Sequence, residues 1–428
     1  MNETNLGAMD SNEPMFEHWA IFLSNDIDRQ LLLHNLSKEN SIPFFQHLAN
    51  RKGVIFSVET LNELMEDEER HGAFVANTSF HRSMKLLSSG EQRKLLLTYL
   101  LAQHPDYIIL DNPYDNLDTA SQVELKTSLL ALSAGVSVIQ MFSRQQDLLP
   151  FITNIIIANR HGFTVTTSAS FISTIPSKSK HDNYSLCIPS PLNRFEIEGS
   201  ELVRFTNVDV QYEDRQIVKH INWTIDKGEF WQLVGPNGSG KTTLLTMITG
   251  DNPKAFGKDL RLFGKRKGSG ESVWEIKRLI GYLTPQMTSL FATLQTVEQL
   301  VVSGFLDSVG LYKQPSDAQL RIANEWIALI GLSAVRHKPF SKLTKGQQRM
   351  VLIARAMIKH PPLLILDEIL TSLDDENAGT VIQLINQIAA ATATTILLVS
   401  HRTETGLVPN KIFKLTPTDN GSVGMVIQ

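Results

Sequence analysis

The chain has 428 residues, 40 Lys and Arg against 44 Asp and Glu, and a single cysteine, Cys187. That length points to two or three domains, each able to bury its own core. The net charge of −4 supplies no global basic field to attract nucleic acid, and one cysteine excludes an internal disulfide or a cysteine zinc cluster, in keeping with a reducing cytosol.

From its first residue the chain is polar and acidic, MNETNLGAMDSNEP, without the basic start and apolar run of a signal peptide. No window offers the roughly 20 uninterrupted apolar residues of a bilayer-spanning helix. Residues 381–400 come nearest and are broken by Gln383, Asn386 and Gln387. No direct membrane insertion is expected. A β-rich run at 16–21 leads into Leu23-Ser24-Asn25-Asp26-Ile27-Asp28-Arg29-Gln30. Further on come Leu87-Ser88-Ser89-Gly90-Glu91-Gln92-Arg93, then Gln103 to Asn112 with the apolar core Tyr107-Ile108-Ile109-Leu110 ahead of Asp111, and then Asn116-Leu117-Asp118.

Between 164 and 200 the chain is rich in Ser, Thr, Pro and Asn, without a sustained apolar period, and reads as a linker. Beyond it Phe230 to Val234 reads as a strand and Leu244 to Ile248 as a helix, with Gly235-Pro236-Asn237-Gly238-Ser239-Gly240-Lys241-Thr242-Thr243 between them. This is a phosphate-binding loop. Its glycines let successive N–H groups converge on phosphate oxygens at a helix start, Lys241 reaches the β- and γ-phosphates, and Thr242 is placed to hold Mg²⁺. The basic run Lys258, Arg261, Lys265, Arg266 and Lys267 lacks interleaved aromatics and reads as a solvated face, which disfavours nucleic acid.

The later blocks Leu343-Thr344-Lys345-Gly346-Gln347-Gln348-Arg349, Lys359 to Glu368 and Ser372-Leu373-Asp374 repeat those at 87–93, 103–112 and 116–118. Two copies of one domain are therefore joined. The expected division is 1–163 for the first copy, 164–200 for the linker and 201–428 for the second. In each copy short apolar runs alternate with helical segments, the pattern of an α/β fold with a mostly parallel sheet. Asp367 and His401 fall at the carboxyl ends of such runs, where α/β sheets bind ligands.

With these landmarks in order, the second copy resembles the nucleotide-binding domain of the ATP-binding cassette (ABC) family, a P-loop NTPase fold. The run from Asp259 to Lys277 and that from Ser303 to Tyr312 make it similar to the tandem-cassette ModF/PhrA type, whose bacterial members are named for molybdate transport or photorepair. The resemblance implies that Tyr212 stacks on adenine, that Gln286 contacts Mg²⁺ and water, and that 343–347 is the signature. It also implies that Asp367-Glu368 is the second acidic motif, that 372–374 spans the dimer, and that His401 is the switch histidine. On that footing Thr242 and Asp367, directly or through water, hold Mg²⁺, while Glu368 orients or deprotonates the attacking water and His401 bonds the γ-phosphate and that water.

The first copy departs from the pattern. It has neither glycines nor lysine at 23–30, and Asp26 and Asp28 would repel phosphate. Asn112 stands for the glutamate, and Ser143 or Arg144 for the histidine. By the resemblance, the first copy is expected to begin too late to supply an adenine-stacking strand. Ser88 and Gly90 keep the signature positions, although Ser89 and Lys345 replace glycines and Glu91 replaces a glutamine. In the family two cassettes meet head to tail, which implies that Ser88 and Gly90 close the site of Lys241, Asp367, Glu368 and His401. The expectation is two tandem ABC domains, the first degenerate and truncated, with one ATP- and Mg²⁺-dependent ATPase site. The leading role is the energising or regulatory subunit of a molybdate-type transport system. It would be cytoplasmic or peripheral at the inner face of the cytoplasmic membrane, docked on a separate permease near Gln286. The alternative is a soluble ABC ATPase with a regulatory, DNA-repair or translation-linked role and no permease.

Overall fold

The computed structural model describes residues 16–24, 27, 29–36, 43–48, 50–71, 83–159, 162–174, 187–291, 295–311, 313–400 and 404–427. The chain divides into two compact units. One is drawn from Met1–Leu87, Glu91–Tyr114 and Val123–Pro176, and the other from Ser88–Gly90, Asp115–Gln122 and Ser177–Gln428.

In the first unit the strands are β1 (His18–Leu23), β2 (Gly53–Phe56), β3 (Tyr107–Asp111), β4 (Ser137–Phe142), β5 (Asn154–Asn159) and β6 (Gly162–Thr167). They form one sheet in the order β2-β3-β4-β1-β5-β6, parallel except for the β5/β6 pair. Every residue of β3 and β4 is buried, as parallel strands covered on both faces require. The helices are α1 (Arg29–His34), α2 (Val58–His71), α3 (Ser89–Leu101), α4 (Thr119–Leu132) and α5 (Ser168–Thr174), with the first residues of α3 and α4 belonging to the second unit. Residues 164–174, expected as the start of the linker, instead form most of β6 and all of α5. Gly-Phe-Thr-Val-Thr-Thr is β-branched enough for a strand and polar enough for an exposed edge. Phe171 anchors the helix, its ring 5.0 Å from that of Phe22 and 5.8 Å from that of Phe142.

The second unit holds β7 (Glu201–Tyr212), β8 (Arg215–Asp226), β9 (Phe230–Val234), β10 (Leu260–Leu262) and β11 (Lys265–Arg266), followed by β12 (Ile280–Leu283), β13 (Leu363–Asp367), β14 (Thr395–Val399), β15 (Lys411–Thr416) and β16 (Val423–Ile427). An antiparallel sheet, β11-β10-β7-β8, packs on a six-stranded sheet ordered β12-β13-β14-β9-β15-β16. Trp223 of β8 joins them. It stacks on Phe205 at 6.2 Å and on Phe413 at 4.3 Å, each such pair adding about 0.5–1.5 kcal/mol beyond area burial. The helices are α6 (Lys241–Ile248), α7 (Val273–Arg278), α8 (Met287–Leu290), α9 (Val297–Ser303), α10 (Asp317–Leu329), α11 (Lys345–Met357) and α12 (Asp375–Ala391). Capping boxes start four of them: Ser272 with Glu275, Thr296 with Gln299, Ser316 with Gln319, and Thr344 with Gln347. Helices α9 to α12 share a core around Trp326, Phe340, Ile353 and Ile385.

The sheet order of the first unit repeats in the second, and so does its register. Ile21 pairs with Met141 as Leu233 pairs with Val399. The Asn112 N–H donates to the Met141 carbonyl at 3.0 Å, and the Glu368 N–H to the Val399 carbonyl at 2.9 Å. Among the described residues no helix is long and apolar enough to cross a membrane.

Candidate nucleotide site

β9 delivers the phosphate-binding loop and α6 receives it, with Lys241 as the first helical residue. Gly240, the N-cap, has φ of 95°, and a Cβ there would lie 2.5 Å from Val218 Cγ1, so the tight entry into the helix depends on glycine. Gly238 turns at φ 75°. Gly235 approaches the backbone of Leu415 too closely for a side chain. Among the described residues the buried Ser239 hydroxyl has no hydrogen-bond partner, an orphaned polar group inside a loop built to receive oxygens.

Lys241 lies folded into this loop, its Nζ donating to the Gly235 carbonyl at 2.7 Å and the Pro236 carbonyl at 2.9 Å. Burial pushes its ammonium below the usual 10.5, opposed by the nearby carboxylates of Glu368, Asp118 and Asp367. The same field marks those carboxylates as neighbours of the lysine. Thr242 is exposed beside it and Thr243 is half-buried. Asp367 ends β13, and Glu368 follows in a left-handed conformation at φ 50°, a strained setting of the kind that clusters at functional positions. Tyr282 stands by: burial first, then Asp367 and Asp251, holds its phenol protonated well above the usual range.

Tyr212 closes β7 with its ring half-exposed, its hydroxyl bonded to Asn252 and Lys254 Nζ 5.7 Å from the ring centroid. Gln286 is exposed at the start of α8, where its carbonyl accepts from Leu290. His401 and Asp26 lie outside the described residues.

Ser88 and Gly90 belong to the second compact unit. Gly90 is held at the start of α3, where a Cβ would meet Ser121 Oγ at 2.5 Å, just as one on Gly346 would collide with Asn377. Residues of the Ser88–Gly90 and Asp115–Gln122 segments contact the loop directly. Asp118 Oδ2 accepts from the Asn237 N–H at 2.9 Å, and Asn237 Nδ2 donates to Ser89 Oγ at 2.6 Å and to the Asn116 carbonyl at 3.1 Å. Ser89 was expected only as a blemish in the signature; the signal that could have found it is its position beside Ser88 and Gly90. One loop N–H thus already donates to an anionic oxygen, the preference a phosphate site needs.

The ABC transporter domain family matches residues 218–371. The chain is 34% identical to the ABC transporter ATP-binding protein ModF of Escherichia coli, spanning 81% of this chain and 74% of that protein. An uncharacterised ABC transporter ATP-binding protein of Schizosaccharomyces pombe is 29% identical, with coverage of 79% and 69%. In fold the chain is similar to the archaeal ribosome recycling factor aABCE1, solved with the ribosomal stalk protein aP1, at a TM-score of 0.61 and 18% identity, covering 95% of this chain and 85% of that one. The phosphate loop, the acidic strand end and the duplicated sheet agree with these likenesses: the chain belongs to the ABC ATP-binding protein family and is a tandem-domain ATPase.

Proposed function

We propose that the chain has one competent ATPase site, built by residues 201–428 and closed by the Ser88–Gly90 and Asp115–Gln122 segments of a first copy that hydrolyses nothing itself. The observation that carries this reading is the grip of Asp118, Ser89 and Asn116 on Asn237. Residues from the first copy hold the loop that binds phosphate in the second. Ser88 and Gly90 then face the γ-phosphate, and Tyr212 receives adenine.

The donor set suits Mg²⁺. The Thr242 hydroxyl and the Asp367 carboxylate are hard oxygen ligands, and too few for an all-protein cage, the pattern of a cation shared with nucleotide phosphates. When bound, the ion neutralises charge developing on the phosphate oxygens. The protein's own residues do the rest. Lys241 exchanges the two loop carbonyls for phosphate oxygens, Glu368 orients and accepts a proton from the attacking water, and Gln286 and His401 complete the water's surroundings.

The role we propose is that of the energising or regulatory ATPase of a transport system, of molybdate type by resemblance to the ModF/PhrA cassettes, acting at the cytoplasmic face through a separate permease. The test is Mg²⁺-dependent hydrolysis by the purified chain beside Glu368→Gln, with trapped nucleotide counted. Loss of turnover with one ATP held per chain is expected; two per chain, or undiminished turnover, overturns the single site. Co-purification with a membrane protein supports the transport role, whereas a ribosome or DNA partner replaces it with the soluble alternative.

A further inference from the structure

The register of the two sheets identifies what stands where Lys241 would be in the first unit. Ile21 is equivalent to Leu233, and the eighth residue after each is Arg29 and Lys241. Each is the first residue of the helix that follows. By the same register Asp111 is equivalent to Asp367, since these pair with Met141 and Val399. Arg29 Nε lies 2.5 Å from Asp111 Oδ1, and the side chains are 28% and 4% exposed.

We propose that Arg29 is a resident cation that takes the place of both the loop lysine and the metal ion, closing the first unit to magnesium nucleotide. This deepens the single-site reading and rests on it. A buried carboxylate that has lost its nucleotide and metal is costly unless another positive group pairs with it. Arginine is suited to that task, since its guanidinium stays charged and forks onto a carboxylate. The space left confirms the fit. A cavity of about 250 Å³, lined by Arg29, Gln30, Leu33, His34, Glu59 and Asp111, is smaller than the roughly 300–1,000 Å³ of ordinary ligand pockets. Its second carboxylate, Glu59, is one more group that repels phosphate. The first unit is therefore held by a tethered counter-charge, and its state does not follow the ATP concentration.

The experiment uses the full chain with Lys241→Ala, which silences the second site, and reads Mn²⁺ binding by electron paramagnetic resonance. Adding Arg29→Ala uncovers Asp111, and Mn²⁺ affinity is expected to rise at least ten-fold; adding Asp111→Asn as well should return it to baseline. Thermal unfolding provides the second readout. Arg29→Ala should lower the melting temperature, and the Arg29→Ala/Asp111→Asn pair should recover at least half of the loss. Additive losses without any gain in Mn²⁺ binding overturn the proposal, even where Arg29→Ala alone folds poorly. One trapped ATP per chain in Glu368→Gln beside such additive losses would sink the resident cation and leave the single site standing. Two trapped ATP per chain would remove the single site itself.

Discussion

Asn112 and Glu368 hold the same left-handed backbone step, at φ 40° and 50°, each directly after the buried aspartate-bearing strand and each donating its N–H to the equivalent strand carbonyl. Asparagine tolerates this conformation better than most residues, glutamate less well. Glu368 therefore carries a larger conformational cost than Asn112, one that the water-orienting role proposed for its carboxylate would explain. Glu368→Asn is expected to cut kcat by about 10²–10⁴-fold while leaving thermal stability equal or slightly raised. A fall in stability as large as the fall in turnover would show that Glu368 mainly braces the fold.

Gly240→Ala should weaken both stability and nucleotide binding. A Cβ at φ 95° is strained, and it would lie 2.5 Å from Val218 Cγ1 and 3.1 Å from Ile217 Cγ2. The cost is on the order of 1–3 kcal/mol. Differential scanning calorimetry should register a drop of several degrees, and equilibrium dialysis a weaker hold on ATP.

The buried Lys241 makes the empty protein's stability depend on alkaline pH with a defined sign. Its folded pKa is lowered by burial, so the native state gives up this proton before the unfolded state does. Stability should therefore rise as pH climbs from the depressed folded value toward the usual 10.5. Lys241→Met removes that contribution. Denaturant titrations of the two proteins across this window should differ in slope; parallel curves would contradict the assignment.

Tyr212 offers a half-exposed ring whose hydroxyl is tied to Asn252. Base stacking is worth about 1–3 kcal/mol, so Tyr212→Ala should weaken ATP binding roughly ten-fold, whereas Tyr212→Phe keeps the ring and should bind nearly as the parent does. Equal losses in both would mean that the hydroxyl link to Asn252 is what matters.

Ser88→Glu places a carboxylate on an exposed signature position. Turnover should fall below detection while initial ATP binding at Lys241 stays within about two-fold, since closure and not the loop is disturbed. Unchanged turnover would remove Ser88 from the site.

The phosphate loop was legible because its glycines and lysine answer a demand of backbone geometry that few other sequences meet, and β9 and α6 flank it as expected. The sheets were legible as buried apolar runs. What escaped was contextual. Residues 164–174 looked like linker because threonine and serine signal turns in isolation, yet edge pairing with β5 and the burial of Phe171 make them strand and helix. Arg29 was in view as part of a broken loop, but its partner Asp111 is 82 residues away, and only the fold brings them together. Asn237 likewise was counted as a loop residue, while its grip by Asp118 and Ser89 needed coordinates.

Duplication within one polypeptide also has a genetic consequence. In an assembly of two identical chains every substitution appears twice, so an arginine that blocks one loop blocks both and abolishes the enzyme. Here Arg29 and Lys241 are separate codons in one reading frame. Under the single-site reading proposed above, residues 23–30 and 235–243 are free to diverge, and the difference between them is inherited as a single unit.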